Sequence, residues 1–344
     1  MTPGPHNSYL FHLSEPEEEP LVGIARLAAQ GEFVRPGHNV RYFTLESRSL
    51  LNRVQSARRM PFTWAINPYR GCEFACKYCY ARYTHEFMEM RDGLDFERKI
   101  CVKQQAGWLV RRDLKKVKAG EQIAIGTATD PYQPAERHYQ VTRAILEELV
   151  QHRGFDVGIV TKSDLILRDR ELLRRLGEQN RVYVNLTVTT LDARLARILE
   201  PRAPRPDLRL RAVEELNRAG VEAGVICAPV LPGITDSEES LEAVVAATRR
   251  AGGKNIFANP LFLKPCSAAI FLPFLESEFP QLVEQYRQRY AGRAFVSAAY
   301  HRQISQLMNR LREKYGIRYE RESPKKAAPA EVAEEQLTLF PMAG

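Results

Sequence analysis

The 344-residue chain has no apolar run approaching the roughly 20 residues a helix needs to cross a bilayer. No membrane span is therefore expected. Its opening residues, M-T-P-G-P-H-N-S, lack the basic and apolar regions of a secretion signal. Cysteine is scarce, with six in 344 residues, too few for a disulfide framework. These absences point to a reducing cytoplasm. An excess of acid is missing too: 50 Lys and Arg face 42 Asp and Glu, a net charge of +8. That balance permits a polyanionic partner without requiring one. At 44% hydrophobic the chain can bury a real core, and its length suits one large barrel-type domain or two small ones.

The few cysteines are not scattered. Cys72, Cys76 and Cys79 fall at C-x3-C-x2-C spacing inside N-P-Y-R-G-C-E-F-A-C-K-Y-C-Y-A-R, residues 67–82. Thiolate is a soft ligand that selects zinc, Cu(I) or iron–sulfur clusters. A structural zinc site wants four closed ligands, and the nearest fourth donor is His85. An iron–sulfur cube held by three cysteines instead leaves one iron open to a small molecule. An aromatic residue, Tyr78, directly precedes the last cysteine. C-x3-C-x-aromatic-C resembles the signature of the radical S-adenosylmethionine (SAM) superfamily. There the open iron chelates the amino and carboxylate groups of the methionine part of SAM.

Around this loop, strand-like and helix-like segments alternate. Strands are expected at 62–66, 122–127, 157–161, 182–189, 221–230 and 255–263, with a weaker insertion strand at 96–102. Helices are expected at 106–118, 141–151, 164–177, 192–200, 208–219, 237–250, 282–290 and 298–315. Apolar β-branched strands alternating with helices imply parallel strands and crossover helices. The expected fold is α/β, a partial (β/α)6 TIM-type barrel with an N-terminal extension and C-terminal helices. Its parts are a disordered arm (1–30), a basic lead-in (31–60), the core barrel (61–265), a helical cap (266–320) and a flexible tail (321–344). In such barrels the site lies on the loops at the C-terminal strand ends. The cysteine loop follows the first strand, so topology and chemistry agree on one face.

Three further stretches extend the resemblance. T-D-P-Y-Q-P-A-E (129–136), T-V-T-T-L-D-A-R-L-A-R-I-L-E-P-R-A-P (187–204) and A-G-V-E-A-G-V-I-C-A-P-V-L-P-G-I-T-D (219–236) look like the branch related to spore photoproduct lyase. The resemblance implies that Cys72, Cys76 and Cys79 hold a [4Fe-4S] cluster and that Tyr78 packs beside SAM. It implies that Thr129 and Asp130 contact the SAM amino group, with Lys162 and Ser163 at strand three. Thr187 and Thr189 would face ribose or carboxylate, Ala228 and Pro229 the adenine, and Glu200 and Arg202 the pocket. One departure matters. The lyases are described with a hydrogen-donating cysteine at the end of strand two, where this chain reads G-T-A-T-D (126–130). Repair of the spore lesion is thereby put in doubt, and Cys266 becomes the candidate hydrogen donor.

Basic residues concentrate in two places: six Arg against two acids in 31–60, and six Lys or Arg against one Asp in 101–120. Tyr42, Phe43 and Trp108 lie in these segments as candidate base stackers. The tail ends in Gln336, Leu337, Thr338, Leu339 and Phe340, and Q-L-x-L-F resembles the motif by which bacterial DNA-metabolism proteins bind the replication sliding clamp. The resulting expectation is an enzyme that reductively cleaves SAM and acts on a nucleic-acid base, DNA favoured. It would need an electron donor such as flavodoxin or ferredoxin. Two alternatives are modification of RNA or protein by the same chemistry, and a non-catalytic iron–sulfur DNA-binding protein tethered to the clamp.

Overall fold

The structure, a computed structural model, describes residues 21–37, 39–54 and 62–317. The clamp-like residues Gln336, Leu337, Leu339 and Phe340, and much of the expected N-terminal arm, lie outside the described residues.

Eleven strands are described: β1 (Phe33–Gly37), β2 (Val40–Leu45), β3 (Leu51–Arg53), β4 (Trp64–Ile66), β5 (Tyr69–Arg70), β6 (Lys99–Lys103), β7 (Gln122–Ile125), β8 (Asp156–Thr161), β9 (Arg181–Thr187), β10 (Glu222–Val230) and β11 (Ile256–Pro260). The larger sheet has the order β11-β10-β9-β8-β7-β4-β3. Every pair from β4 through β11 is parallel, and β3 is an antiparallel addition at one edge. The six parallel strands lie in chain order. Such consecutive winding belongs to barrels, whereas doubly wound sheets reverse direction at a switch point. β8 is buried at nearly every position, as expected for a strand covered on both faces.

Helices at Val141–Leu149, Arg170–Gln179, Pro206–Arg218 and Glu238–Arg250 make the crossovers. Ile145, Leu146, Leu173, Leu176, Val213, Leu216, Val244 and Val245 pack with the sheet in one continuous core. Helix Ala298–Lys314 adds Ile304, Leu307 and Leu311 to it.

Several local readings change. The insertion strand exists, shifted to Lys99–Lys103, but it belongs to a separate four-stranded sheet of order β1-β2-β6-β5. The lead-in thus carries three strands that composition left unmarked. β5 is two residues long, and β1 slips register against β2 after Phe33, so neither shows a clean period of two. Ser163 caps the segment after β8, accepting from the Leu165 N–H at 3.3 Å, and a 3-10 turn over Asp164–Asp169 precedes the helix proper, which starts at Arg170 and not at 164. The helix expected at 208–219 begins two residues earlier, at Pro206, where the missing N–H costs nothing. Helix Pro265–Glu278 went unread because its apolar residues encircle it and Pro273 sits inside. Only Ser267, Phe271 and Leu275, spaced four apart, are buried on it, so its burial follows a single stripe that its composition does not mark. On that stripe Phe271 packs on Tyr286 at 5.5 Å, and Ser267, one turn earlier, meets the cysteine loop.

Candidate active site

β4 stops at Ile66, and Asn67-Pro68 turns the chain out of the sheet. Asn67 Oδ1 accepts from the Ala128 N–H at 2.7 Å, so the first strand end is latched to the second. After β5 the chain passes Gly71 at φ +83°, where a Cβ would meet the Phe96 and Lys99 carbonyl oxygens at 2.8 Å. Only glycine fits there without displacing backbone. The Gly71 carbonyl accepts from Thr129 Oγ1 at 2.5 Å and from Gln133 Nε2 at 3.2 Å.

The residues between the cysteines fix the loop by backbone. The Cys72 N–H donates to Phe96 O at 2.9 Å and the Lys77 N–H to Leu199 O at 2.9 Å. Glu73 is buried: its carboxylate accepts from the Tyr42 hydroxyl at 2.8 Å and the Ala135 N–H at 2.7 Å. Ala75, at φ +56°, reverses the chain between the first two thiols. Arg82 donates to Cys76 O at 3.1 Å and pairs with Glu97 at 2.6 Å. Ser267, in helix Pro265–Glu278, donates to Cys79 O at 2.9 Å.

With these backbone groups satisfied by the chain itself, the three thiols are left over. Cys72 and Cys76 are buried and Cys79 half-buried, and none is in a disulfide. Burial pushes the Cys72 thiol well up, aided by Asp130 and the other two thiols. Burial also raises Cys76, to about 12, against the opposing pull of Lys162. Thiols so placed keep their protons unless a cation replaces them. His85 is not part of this group. Its Nε2 meets Lys99 O at 3.0 Å, its ring edge lies on Phe96, and burial lowers its imidazole to about 4. Among the described residues, no three His, Cys, Asp or Glu side chains are drawn close enough to hold a single metal ion. The zinc alternative built on His85 is without geometric support.

Beside the loop lies a buried ionic group. Tyr78 donates its hydroxyl to Glu200 Oε1, and Arg209 pairs with Glu200 Oε2 at 2.5 Å. Arg209 also donates to Thr187 O at 2.9 Å and Pro204 O at 2.7 Å. Burial opposes ionisation of Glu200, but Arg209 and Lys162 overcome it and hold the carboxylate below its ordinary range. The Lys162 ammonium stands 5.7 Å from the Tyr78 ring centroid.

The expected site residues divide accordingly. Lys162, Tyr78, Thr189 and Glu200 come together, Thr189 Oγ1 lying 3.4 Å from Glu200. Thr187 is buried at the same strand end, and Ala228 and Pro229 are half-buried late in β10. Thr129 and Asp130 are engaged elsewhere. Thr129 pins Gly71, and Asp130 accepts from Thr161 Oγ1 at 2.6 Å, the Lys162 N–H at 2.8 Å and the Tyr132 N–H at 2.9 Å. Ser163 serves as a helix-type cap. Arg202 is exposed and reaches the loop only by its backbone N–H; Arg209 takes the inward place expected of it. Cys266 is half-buried at the start of helix Pro265–Glu278 and close enough to Cys79 to raise its thiol. Tyr42 is buried against Glu73 and offers no stacking face, while Trp108 is 56% exposed under the Arg112 guanidinium. Glu73, Gln133 and Arg209 were missed. Gln133 sat inside the T-D-P-Y-Q-P-A-E motif, but nothing local marked Arg209.

Residues 66–244 match the model of the radical SAM superfamily. An uncharacterized protein of Mycobacterium tuberculosis is 31% identical over 320 residues, 93% of each chain. Another, from Methanocaldococcus jannaschii, is 26% identical over 251 residues, 73% of this chain and 86% of that one. Among solved structures, spore photoproduct lyase complexed with dinucleoside spore photoproduct matches with a TM-score of 0.60 at 16% identity, over 80% of this chain and 79% of that one. At that identity the likeness is one of fold.

Proposed function

The chain belongs to the radical SAM superfamily, and from that premise we propose that it acts on a nucleic-acid base brought to the strand ends beside the cysteine loop. It is an enzyme that works with a [4Fe-4S] cluster and SAM. When bound, they would supply one-electron reductive cleavage of the SAM carbon–sulfur bond, the electron coming from the reduced cluster and the products being methionine and a 5′-deoxyadenosyl radical able to take a hydrogen from the substrate.

The chain's own contribution is to hold, orient and seclude. Cys72, Cys76 and Cys79 would hold the cluster, because three soft donors stand on one loop whose backbone is otherwise satisfied. That arrangement is the observation carrying the proposal. The Lys162 ammonium is the cation available to the SAM carboxylate, beside the Tyr78 ring. Thr187 and Thr189 offer hydroxyls for ribose, and Ala228 and Pro229 an apolar wall for adenine. Thr129 and Asp130 act indirectly, the first by fixing Gly71 and the second by fixing the Lys162 backbone. Cys266 is our candidate for returning a hydrogen, a reading supported by the lack of a thiol at the end of strand two. An external one-electron donor such as flavodoxin or ferredoxin completes the system.

DNA is the favoured substrate class. The basic segments 31–60 and 101–120 support it, as does the fold shared with an enzyme whose structure holds a dinucleoside photoproduct. The test is anaerobic reconstitution with dithionite and SAM, with and without DNA. We expect 5′-deoxyadenosine, formed faster with DNA present. No 5′-deoxyadenosine under either condition overturns the reading, and stimulation by RNA or a peptide alone overturns the substrate.

A further inference from the structure

Helix Ala106–Leu114 turns Leu109, Val110 and Leu114 into the core. Another stripe of it is basic: Trp108, Arg111, Arg112 and Lys115 follow at i, i+3, i+4 and i+7, the spacing of one helix face. Trp108 is 56% exposed and, among the described residues, joins none of the apolar cores. Cations near a helix C-terminus answer its dipole, but that gives no reason for an indole among them. The Arg112 guanidinium lies 5.0 Å from the Trp108 ring centroid and is clamped there. It donates to Arg48 O and, at 3.1 Å, to Asp113 Oδ1. Asp113 is buried, and its other oxygen accepts from Ser49 Oγ at 2.7 Å and the Leu50 N–H at 2.8 Å. Arg111 pairs with Glu148, also buried. The carboxylates thus face inward and the cations outward. Arg48 and Lys115 are exposed and have no carboxylate partner among the described residues.

We infer that Trp108, with Arg112 behind it and Arg48 and Lys115 nearby, is a docking platform for single-stranded DNA; this rests on the nucleobase reading above. Arg112 covers one side of the indole, and solvent reaches the rest. A base stacking there gains a π contact that does not depend on its identity, reinforced by the cation behind the ring. Trp108 and Lys115 are seven residues apart, about 10 Å along the helix axis. That is the length of about three stacked nucleotides of one strand. A protein partner using the indole would meet uncompensated positive charge around it, which a phosphate backbone neutralises. Duplex bases have both faces covered by neighbours, so the platform selects an unpaired segment. β6 runs into this helix and is hydrogen-bonded to β5, the two residues that feed the cysteine loop. A strand held here is anchored on the same sheet that carries the loop.

The test is fluorescence anisotropy of the anaerobically reconstituted holoenzyme with a labelled oligothymidylate, a labelled oligouridylate and a labelled DNA duplex. The oligothymidylate is expected to bind more tightly than the duplex. Trp108→Ala should weaken it about 5- to 150-fold, the worth of one base–aromatic stack. Trp108→Leu, which keeps apolar bulk but removes the π-face, should weaken it as Ala does, and Trp108→Phe should keep most of the affinity. Lys115→Gln should lower the slope of log affinity against log salt by about 0.7, the single-strand value for one phosphate. The cluster absorbance of each variant checks that the protein still assembles. Wild-type affinity in both Trp108→Ala and Trp108→Leu overturns the platform and leaves the nucleobase reading standing. Equal losses for single strand and duplex overturn the stacking role, and binding of oligouridylate alone overturns DNA as the occupant. Failure of the wild type to bind any of the three removes the nucleobase reading itself.

Discussion

Lys103 is a residue the fold would be steadier without. β5 and β6 set Arg70 directly opposite Cys101, and the pleat carries Lys103 to the same face two residues on. That face is sealed by Leu45, Met88 and the helix bearing Ile24 and Leu27. Lys103 is 6% exposed. Burial, with help from Arg70, lowers its ammonium from 10.5 to about 7. Between those two values the unfolded chain keeps a proton that the folded chain has shed. Stability therefore rises as pH climbs from 7 to 10.5, and the penalty is fully present below 7. Lys103→Met should raise the stability of the cluster-free protein by about 2–5 kcal/mol at pH 7. Denaturant titration at pH 7 and at pH 10 checks it, and the gain should shrink at the higher pH. At this scale the cysteine trio was legible because its spacing is local. Arg209 was not, since its partners Glu200 and Thr187 come from other elements.

At the scale of the element, the loop 67–82 keeps its shape through positions that allow little substitution. Gly71→Ala forces a Cβ onto two carbonyls and a side chain into left-handed backbone. It should cut iron content per chain after reconstitution while leaving the far-ultraviolet circular dichroism intact. The Glu200 ion pair behaves differently. Arg209→Met takes from a buried carboxylate its directly paired cation, leaving only the more distant Lys162, and should lower stability by about 3–5 kcal/mol. Adding Glu200→Gln should recover much of that loss, a comparison made in thermal melts of the two variants. The six parallel strands were readable because each is a compact apolar run bounded by turn residues. The smaller sheet was not, because strands of two to six residues stabilised by distant partners carry little pattern of their own. Helix Pro265–Glu278 escaped for a different reason: apolar residues stand on its exposed and half-buried positions too, and a serine on its buried stripe, so no polar face marks its period.

For the whole molecule, the consecutive strand order puts β4 and β11 far apart along the sheet, yet the loop after β4 touches the segment after β11. The sheet must curl for Ser267 to reach Cys79 O. Removing that hydroxyl with Ser267→Ala should cost about 0.5–1.5 kcal/mol. The effect should be clearer in kinetics, as faster loss of iron to a chelator from the reconstituted protein. The barrel-like winding was implied by the alternation of strands and helices. The curl's closing contact was not, because no rule of local sequence joins positions so remote.

That contact spans 188 residues of chain. A ribosome releases the cysteines long before it supplies the serine that steadies them. Stable loading of iron and sulfide is thus expected only once residue 267 has been made and folded against the loop. A truncated polypeptide ending at residue 264 should consequently take up little iron, however well its sheet has formed.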